Sequence, residues 1–288
     1  MGFYENYTTD WSKDSLRIIN TPSMTAKSSF FYIQEAGRFQ TMPGYYTERC
    51  QLPSYLMLYT LSGEGSLRYG GEEHRLSPGS LMYIDCMEAH SYRPAGPAPW
   101  SFYWAHFYGA TSDGYYKLFH TAAPPVVENL SDSRIPALME QIVELNRSAQ
   151  PSTEILNSRL LIELITEAIL AAAPDYASGE IPESIRKVVR YMERHFSEPI
   201  TLDRLADRFA VSKYHLARAF KRATGVSPGE YLIRLRVSRA QDLLKNSELP
   251  LSEIAAAVGV SSQNHFYALF KSRTDHSPRE YRNMWRSK

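Results

Sequence analysis

The sequence predicts an α+β protein of two domains: an all-β N-terminal domain of small-barrel or jelly-roll type with helices after it, then an all-α C-terminal domain. Three observations carry this. Residues 30–108 hold short aromatic and aliphatic runs punctuated by Gly, Pro and Asp; the last third repeats one helical hairpin at a period near 50 residues; and charge divides sharply between the two parts. A chain of 288 residues has room for about two domains.

In the N-terminal part, FFYIQ, YLMLYTL, GSLRYGG, HRLSPGSLMYID and SFYWAHFYG read as strands. Tyr69-Gly70-Gly71-Glu72 is a hairpin signal, and Ser77-Pro78-Gly79 a tight turn between strands. Many short strands at this spacing predict a small barrel or jelly roll. Two amphipathic helices follow, over 133–148 and 153–172. Leu138, Ile142, Val143 and Leu145 form one apolar stripe; Leu156, Leu160, Leu161, Leu164, Ile165 and Ile169 form the other, and such stripes pack as core. The Pro/Gly texture of residues 174–182 marks a linker, so the expected domains are 1–173 and 183–288.

The C-terminal repeat is legible residue by residue. Leu202, Leu205, Ala206, Val211 and Ser212 recur 49 positions later as Leu251, Ile254, Ala255, Val260 and Ser261. His215, Phe220, Lys221, Ser227, Pro228, Glu230 and Tyr231 recur 50 positions later as His265, Phe270, Lys271, Ser277, Pro278, Glu280 and Tyr281. Each copy reads as two short helices around a tight turn, at Ala210-Val211 in the first and Gly259 in the second, with Ser212 a natural N-cap. Small Ala206 and Ala255 let the helices approach. This is a helix-turn-helix, whose second helix lies in the DNA major groove. Two copies are too few for a solenoid core.

The second helices carry polar faces: Lys213, Tyr214, Arg218, Lys221 and Arg222 in one copy, Ser262, Gln263, Asn264, Tyr267, Lys271 and Arg273 in the other. Arg can bond guanine bidentately, and Asn or Gln adenine. Lys221, Arg222, Lys271 and Arg273 come a turn or two later and suit phosphates. Residues 183–288 hold 20 Lys+Arg against 11 Asp+Glu, whereas residues 1–182 hold 12 against 20. A basic module joined to an acidic one fits polyanion binding by the former.

With these residues in view, the stretch Ile185 to Arg286 resembles the AraC/XylS family of bacterial transcription regulators. SKYHLARAFKRATGVSPGEYLIRLRVSRAQDLL matches the family's first reading helix and connector, and LSEIAAAVGVSSQNHFYALFKSRTDHSPREYR its second unit. The resemblance implies that both units enter successive major grooves, joined by a helix over about 228–245, ~27 Å long at ~1.5 Å per residue. It assigns base reading to Tyr214, Arg218, Gln263 and Asn264. Two departures stand out: Asp275 replaces the usual Gly, and Ala268 occupies a position often polar, which leaves the second unit fewer base contacts.

The segment LYTLSGEGSLRYGGEEHRLSPGSLMYIDCMEAHSYR resembles the cupin-like sensor domain of sugar-responsive members. That resemblance places Arg49, His90, Tyr92 and Trp104 around a small-molecule effector, expected to be a sugar or glycoside, with Phe102 where a polar side chain is usual. Residues 30–108 contain 17 of the chain's Phe, Tyr and Trp against 19 in all the rest, and flat aromatic faces with polar handles suit sugars. His74, His90 and His106 are widely spaced, with no His-x-His and no Glu at the expected interval, so no metal or cofactor is expected. The expected protein is a cytoplasmic, ligand-responsive, sequence-specific regulator of carbohydrate genes, not an enzyme. It would form a homodimer through its paired helices, with the 1–27 segment and any contact to RNA polymerase left to the family pattern. Absence of ~18 uninterrupted apolar residues speaks against a membrane span, and Cys50 and Cys86 suit free thiols in a reducing compartment. The alternatives are a metal-dependent cupin enzyme with a DNA-targeting domain and a constitutive DNA binder with an inert dimerisation barrel.

Overall fold

The computed structural model describes residues 2–148, 150–173 and 181–286, and the chain divides into two compact units, Met1–Ala177 and Ser178–Lys288. The expected linker lies outside the described residues except for Ile181 and Pro182.

The first unit is two antiparallel sheets and a helical layer. A six-stranded sheet runs β11(Val126–Val127), β8(Leu81–Asp85), β5(Tyr55–Ser62), β10(Ser101–Tyr108), β3(Tyr32–Gln40), β2(Leu16–Ile19), and a five-stranded sheet β1(Tyr4–Tyr7), β4(Thr47–Cys50), β9(His90–Pro94), β6(Gly65–Tyr69), β7(Glu72–Leu76). Side chains alternate across a strand. On β5, Leu56 and Leu58 face the five-stranded sheet while Tyr55, Met57 and Tyr59 face the helices; on β10, Phe102 and Trp104 go one way and Tyr103, Ala105 and Phe107 the other. Burial on both faces explains why these strands read as continuous apolar runs. The β6–β7 hairpin turns at Gly70 and Gly71, with φ of 60° and 84°, values that a two-residue turn of this hand needs at both positions.

Helices α3(Ile135–Arg147) and α4(Thr153–Ala172) fall where the periodicity places them, and Leu138, Ile142, Val143, Leu160, Leu161, Leu164 and Ile165 are buried with the outer face of the six-stranded sheet. Several features went unread. The short α1(Met24–Ser29), the eleven-residue α2(Ser112–Ala122) and the short strands β1, β2, β4, β9 and β11 have little local signal. α2 carries an internal Gly114 and consecutive tyrosines, so its apolar stripe is only Tyr116 and Phe119.

The second unit comprises α5(Glu183–His195), α6(Leu202–Arg208), α7(Lys213–Thr224), α8(Pro228–Asn246), α9(Leu251–Ala257), α10(Gln263–Thr274) and α11(Pro278–Arg286). It has two cores. Ile185, Val188, Met192, Leu205, Leu216 and Phe220 form one with Leu232 of α8; Ile254, Val258, Phe266 and Phe270 form the other with Val237, Ala240 and Leu244. α8 thus contributes to both and is 19 residues long, about 28 Å.

Candidate nucleic-acid interface and effector cavity

The two helix-turn-helix units are built by the same local devices. Ser212 and Ser262 cap α7 and α10 by accepting from the backbone N–H of His215 and His265, at 3.3 and 3.4 Å. Val211 and Val260 N–H return to the carbonyls of Ala206 and Ala255, closing the tight turns. The residue opening each turn is left-handed: Ala210 at φ 52° and Gly259 at φ 75°. At Gly259 a Cβ would meet the Ser197 carbonyl oxygen at 2.3 Å, so this turn admits no larger residue without backbone movement. The C-caps Gly225 and Asp275 are both left-handed, at φ 78° and 60°. Asp275 is accommodated there because its short polar side chain tolerates this conformation.

On α7, Leu216 and Phe220 are buried, and Tyr214, Arg218, Lys221 and Arg222 are exposed on the opposite side; Tyr214 retains 74% of its accessible surface. Lys213 is exposed beside them and pairs with Asp203 at 3.2 Å. On α10, Gln263, Asn264 and Lys271 are exposed in the matching places, while Tyr267 is half-buried against the second core. Superposing the copies by sequence puts Ala268 opposite Arg218. Two further expected contacts are otherwise engaged. Ser262 spends its hydroxyl as the α10 cap. Arg273 forms a bidentate pair with both oxygens of Glu230 on α8, at 2.9 and 2.8 Å, and so ties α10 to the connector. His215 and His265, exposed at the third position of both helices, were visible only as part of the repeat.

In the first unit, strand register assembles a cross-strand row. Glu5 of β1 lies opposite Arg49 of β4, Arg49 opposite His90 of β9, and His90 opposite Tyr69 of β6. Two residues along, Tyr7, Thr47, Tyr92 and Leu67 form a parallel row. Arg49 ion-pairs with Glu5 through Nε and donates from Nη1 to His106 Nε2 at 2.8 Å, joining the two sheets. Arginine has no acceptor, so His106 must present a bare Nε2 and carry its proton on Nδ1, which donates to Ser54 Oγ at 3.0 Å. Burial and the Arg49 charge hold His106 well below the usual imidazole range, consistent with a neutral ring.

Arg49, Tyr92 and Trp104 converge on one small cavity of about 20 Å³, with Arg17, Glu35, Phe39, Tyr45 and Phe102. Trp11 closes it, stacked on Phe39 at 4.5 Å. A second cavity of about 180 Å³ continues past Arg49 to Glu5, Ser54 and His106. His90 does not reach the Trp104 cavity. It lines a third depression, about 380 Å³, with Arg49, Arg68 and Tyr69. Its Nδ1 donates to the Glu88 carbonyl at 2.9 Å, Nε2 is buried without a partner among the described residues, and burial pushes its pKa down to about 4. Trp104 Nε1–H, also buried, likewise lacks an acceptor. Gly37, opposite Trp104 on β3, makes room for it: a Cβ there would lie 2.9 Å from Trp104 Nε1. Trp11, Phe39, Tyr45, Arg17 and His106 were not singled out as wall residues; the hints were the aromatic density of residues 30–108, which holds Phe39 and Tyr45, and a histidine within the apolar run SFYWAHFYG.

Among the described residues no helix is long and apolar enough to cross a membrane, and Cys50 and Cys86 are free.

Comparison with known proteins gives these geometries a family. An AraC-like ligand binding domain matches residues 32–165, and a helix-turn-helix domain matches residues 205–284. The lactose operon transcription activator of Staphylococcus xylosus is 26% identical over 226 residues, 77% of this chain and 81% of that protein. The transcriptional activator RhaS of Escherichia coli O1:K1 is 35% identical over 150 residues, so the match spans about half of each chain, 52%. Among solved structures, the C-terminal domain of AraT, a response regulator from Geobacillus stearothermophilus, is 34% identical over 36% of this chain and 88% of its own, with a TM-score of 0.36. With both of its units matched, the chain belongs to the AraC family of transcription regulators, an AraC-like ligand-binding domain preceding a helix-turn-helix DNA-binding domain.

Proposed function

We propose that this regulator answers to a sugar or glycoside and controls genes of carbohydrate utilisation. The observation that carries the effector class is the mixture around Arg49: flat aromatic walls (Trp104, Phe39, Tyr45), guanidinium donors, a buried indole N–H and, in the adjoining depression, a bare imidazole nitrogen. Such a set pairs C–H faces with hydroxyls, and the partnerless polar atoms gain hydrogen bonds when a polyol arrives. At about 20 Å³ the Trp104 cavity holds roughly one water, so a sugar ring must displace Trp11, and freeing the Arg49 guanidinium requires breaking its pair with Glu5 of the N-terminal strand. Ligand binding would thereby be coupled to the N-terminal segment through differential affinity for two arrangements. The relatives' names, a lactose operon activator and RhaS, support a carbohydrate role.

On DNA, Tyr214 and Arg218 read bases from the first helix and Gln263 and Asn264 from the second; Lys213, Lys221, Arg222 and Lys271 contact phosphates. A homodimer forms through α4, whose Ile155 and Ile162 are exposed two turns apart on one face. Contact with RNA polymerase follows if the protein activates.

Binding-site selection with the full chain tests the DNA reading: enrichment of a motif with two half-sites about one helical turn apart is expected. A thermal-shift screen against mono- and disaccharides tests the effector, since a tight ligand raises the melting temperature. Recovery of no motif, or a flat screen across sugars alongside a hit among apolar ligands, would overturn the respective reading.

A further inference from the structure

The DNA-binding unit carries a second basic surface that neither reading helix includes. Lys187, Arg190, Tyr191, Arg194 and His195 of α5 and Arg208 at the end of α6 line a depression of about 320 Å³. Positions 187, 190/191 and 194/195 recur every three to four residues, so they form one stripe along α5, opposite buried Ile185, Val188 and Met192. The stripe is pre-arranged. The Arg208 guanidinium lies 4.3 Å over the Tyr191 ring, and the same ring stacks with His195 at 4.4 Å.

Carboxylates offset only part of this charge. Glu183 takes Arg190 and Arg186, and Glu198 takes His195. Among the described residues Lys187, Arg194 and Arg208 have no carboxylate partner, and all three are exposed. A solvated helix face ordinarily intersperses opposite charges at i,i+4, and like neighbours there repel. Three uncompensated cations around one depression instead raise the local concentration of anions. Lys187 and Arg194 are about 10 Å apart along the helix axis, some three steps of a strand that rises ~3.4 Å per phosphate.

We propose that this α5–α6 surface is an additional contact to the phosphates of duplex DNA, outside the two major-groove helices, which adds affinity and salt dependence but no base preference. The inference rests on the DNA-binding reading above.

The test uses the full chain and a mixed-sequence duplex of ~40 base pairs, titrated at several salt concentrations. Each phosphate contact contributes ~0.9 to the slope of log affinity against log salt, so Lys187→Gln/Arg194→Gln, two exposed changes that spare the Arg208–Tyr191 stack, should lower the slope by about 1.8. The charge-preserving pair Lys187→Arg/Arg194→Lys should retain it. A slope unchanged in the neutralised variant, while wild type still binds, overturns the proposal. So does an unchanged slope with a pyrophosphate-induced rise in melting temperature that the variant loses, which would assign the depression to a small anion. Absence of wild-type DNA binding would instead sink the reading on which the proposal depends.

Discussion

The two turns of the repeated motif offer a mirrored pair of substitutions within one protein. Gly259 and Ala210 occupy the same place in the two copies and share a left-handed backbone, φ 75° and 52°. For Gly259→Ala the left-handed penalty is about 1–2 kcal/mol. The new Cβ would also sit 2.3 Å from the Ser197 carbonyl oxygen and 2.7 Å from its C and Cα. All three are backbone atoms, so the loop after α5 must move by roughly 1 Å, and strain of this kind costs another 1–3 kcal/mol. Reduced freedom of the unfolded chain returns about 0.4–1 kcal/mol. The net loss is about 2–4 kcal/mol. Ala210→Gly runs the other way: relief of about 1–2 kcal/mol against a glycine entropy cost of about 0.5–1 kcal/mol leaves a gain near 0.5–1 kcal/mol. Urea unfolding of the full chain, followed by far-ultraviolet circular dichroism, reports mainly on the helical unit. A Gly259→Ala midpoint within error of wild type, or an Ala210→Gly variant less stable than wild type, would refute the reasoning.

Further outcomes are expected elsewhere. Arg218→Ala should cost about 1–3 kcal/mol at one base position of the selected site, whereas Lys221→Ala should weaken specific and random DNA alike; equal losses for Arg218→Ala on both would remove it from base reading. Because burial lowers the His90 pKa from 6.5 to about 4, the unfolded chain binds more protons between those values. Stability should therefore be flat above pH ~6.5 and fall below it, by roughly 3 kcal/mol at pH ~4 for His90 alone. In urea titrations at several pH values, His90→Gln should flatten the profile; an acid loss as steep as wild type contradicts the assignment. A double-mutant cycle on Glu230→Gln and Arg273→Gln should return a coupling of about 0.5–1 kcal/mol, given partly exposed partners. Coupling indistinguishable from zero in chemical denaturation would mean that the pair does not fasten α10 to the connector.

The family could be read because its signals are local. A serine cap acts three residues ahead, a left-handed turn residue acts within one turn, and an amphipathic stripe declares itself every three to four residues, so Ser212, Asp275 and the stripes of α3 and α4 were legible at once. β1, β2 and α2 were not: four-residue edge strands and a glycine-containing helix hold their shape through partners far along the chain. Arg273 shows the same limit inside a well-read domain, since its polarity suited a phosphate, and only the fold brought Glu230, 43 residues away, to claim it.

By itself, then, the order of residues determined the two-domain plan, the doubled helix-turn-helix and the exposed faces of α7 and α10, because each depends on interactions within a few residues. The tertiary structure decided the candidate effector cavity. Arg49 meets His106 across 57 residues and two sheets, Trp11 closes over Phe39 from the N-terminal segment, and His90 turns into a neighbouring depression. Such convergence is set by strand register and sheet packing, in which a one-residue slip sends a side chain to the opposite face.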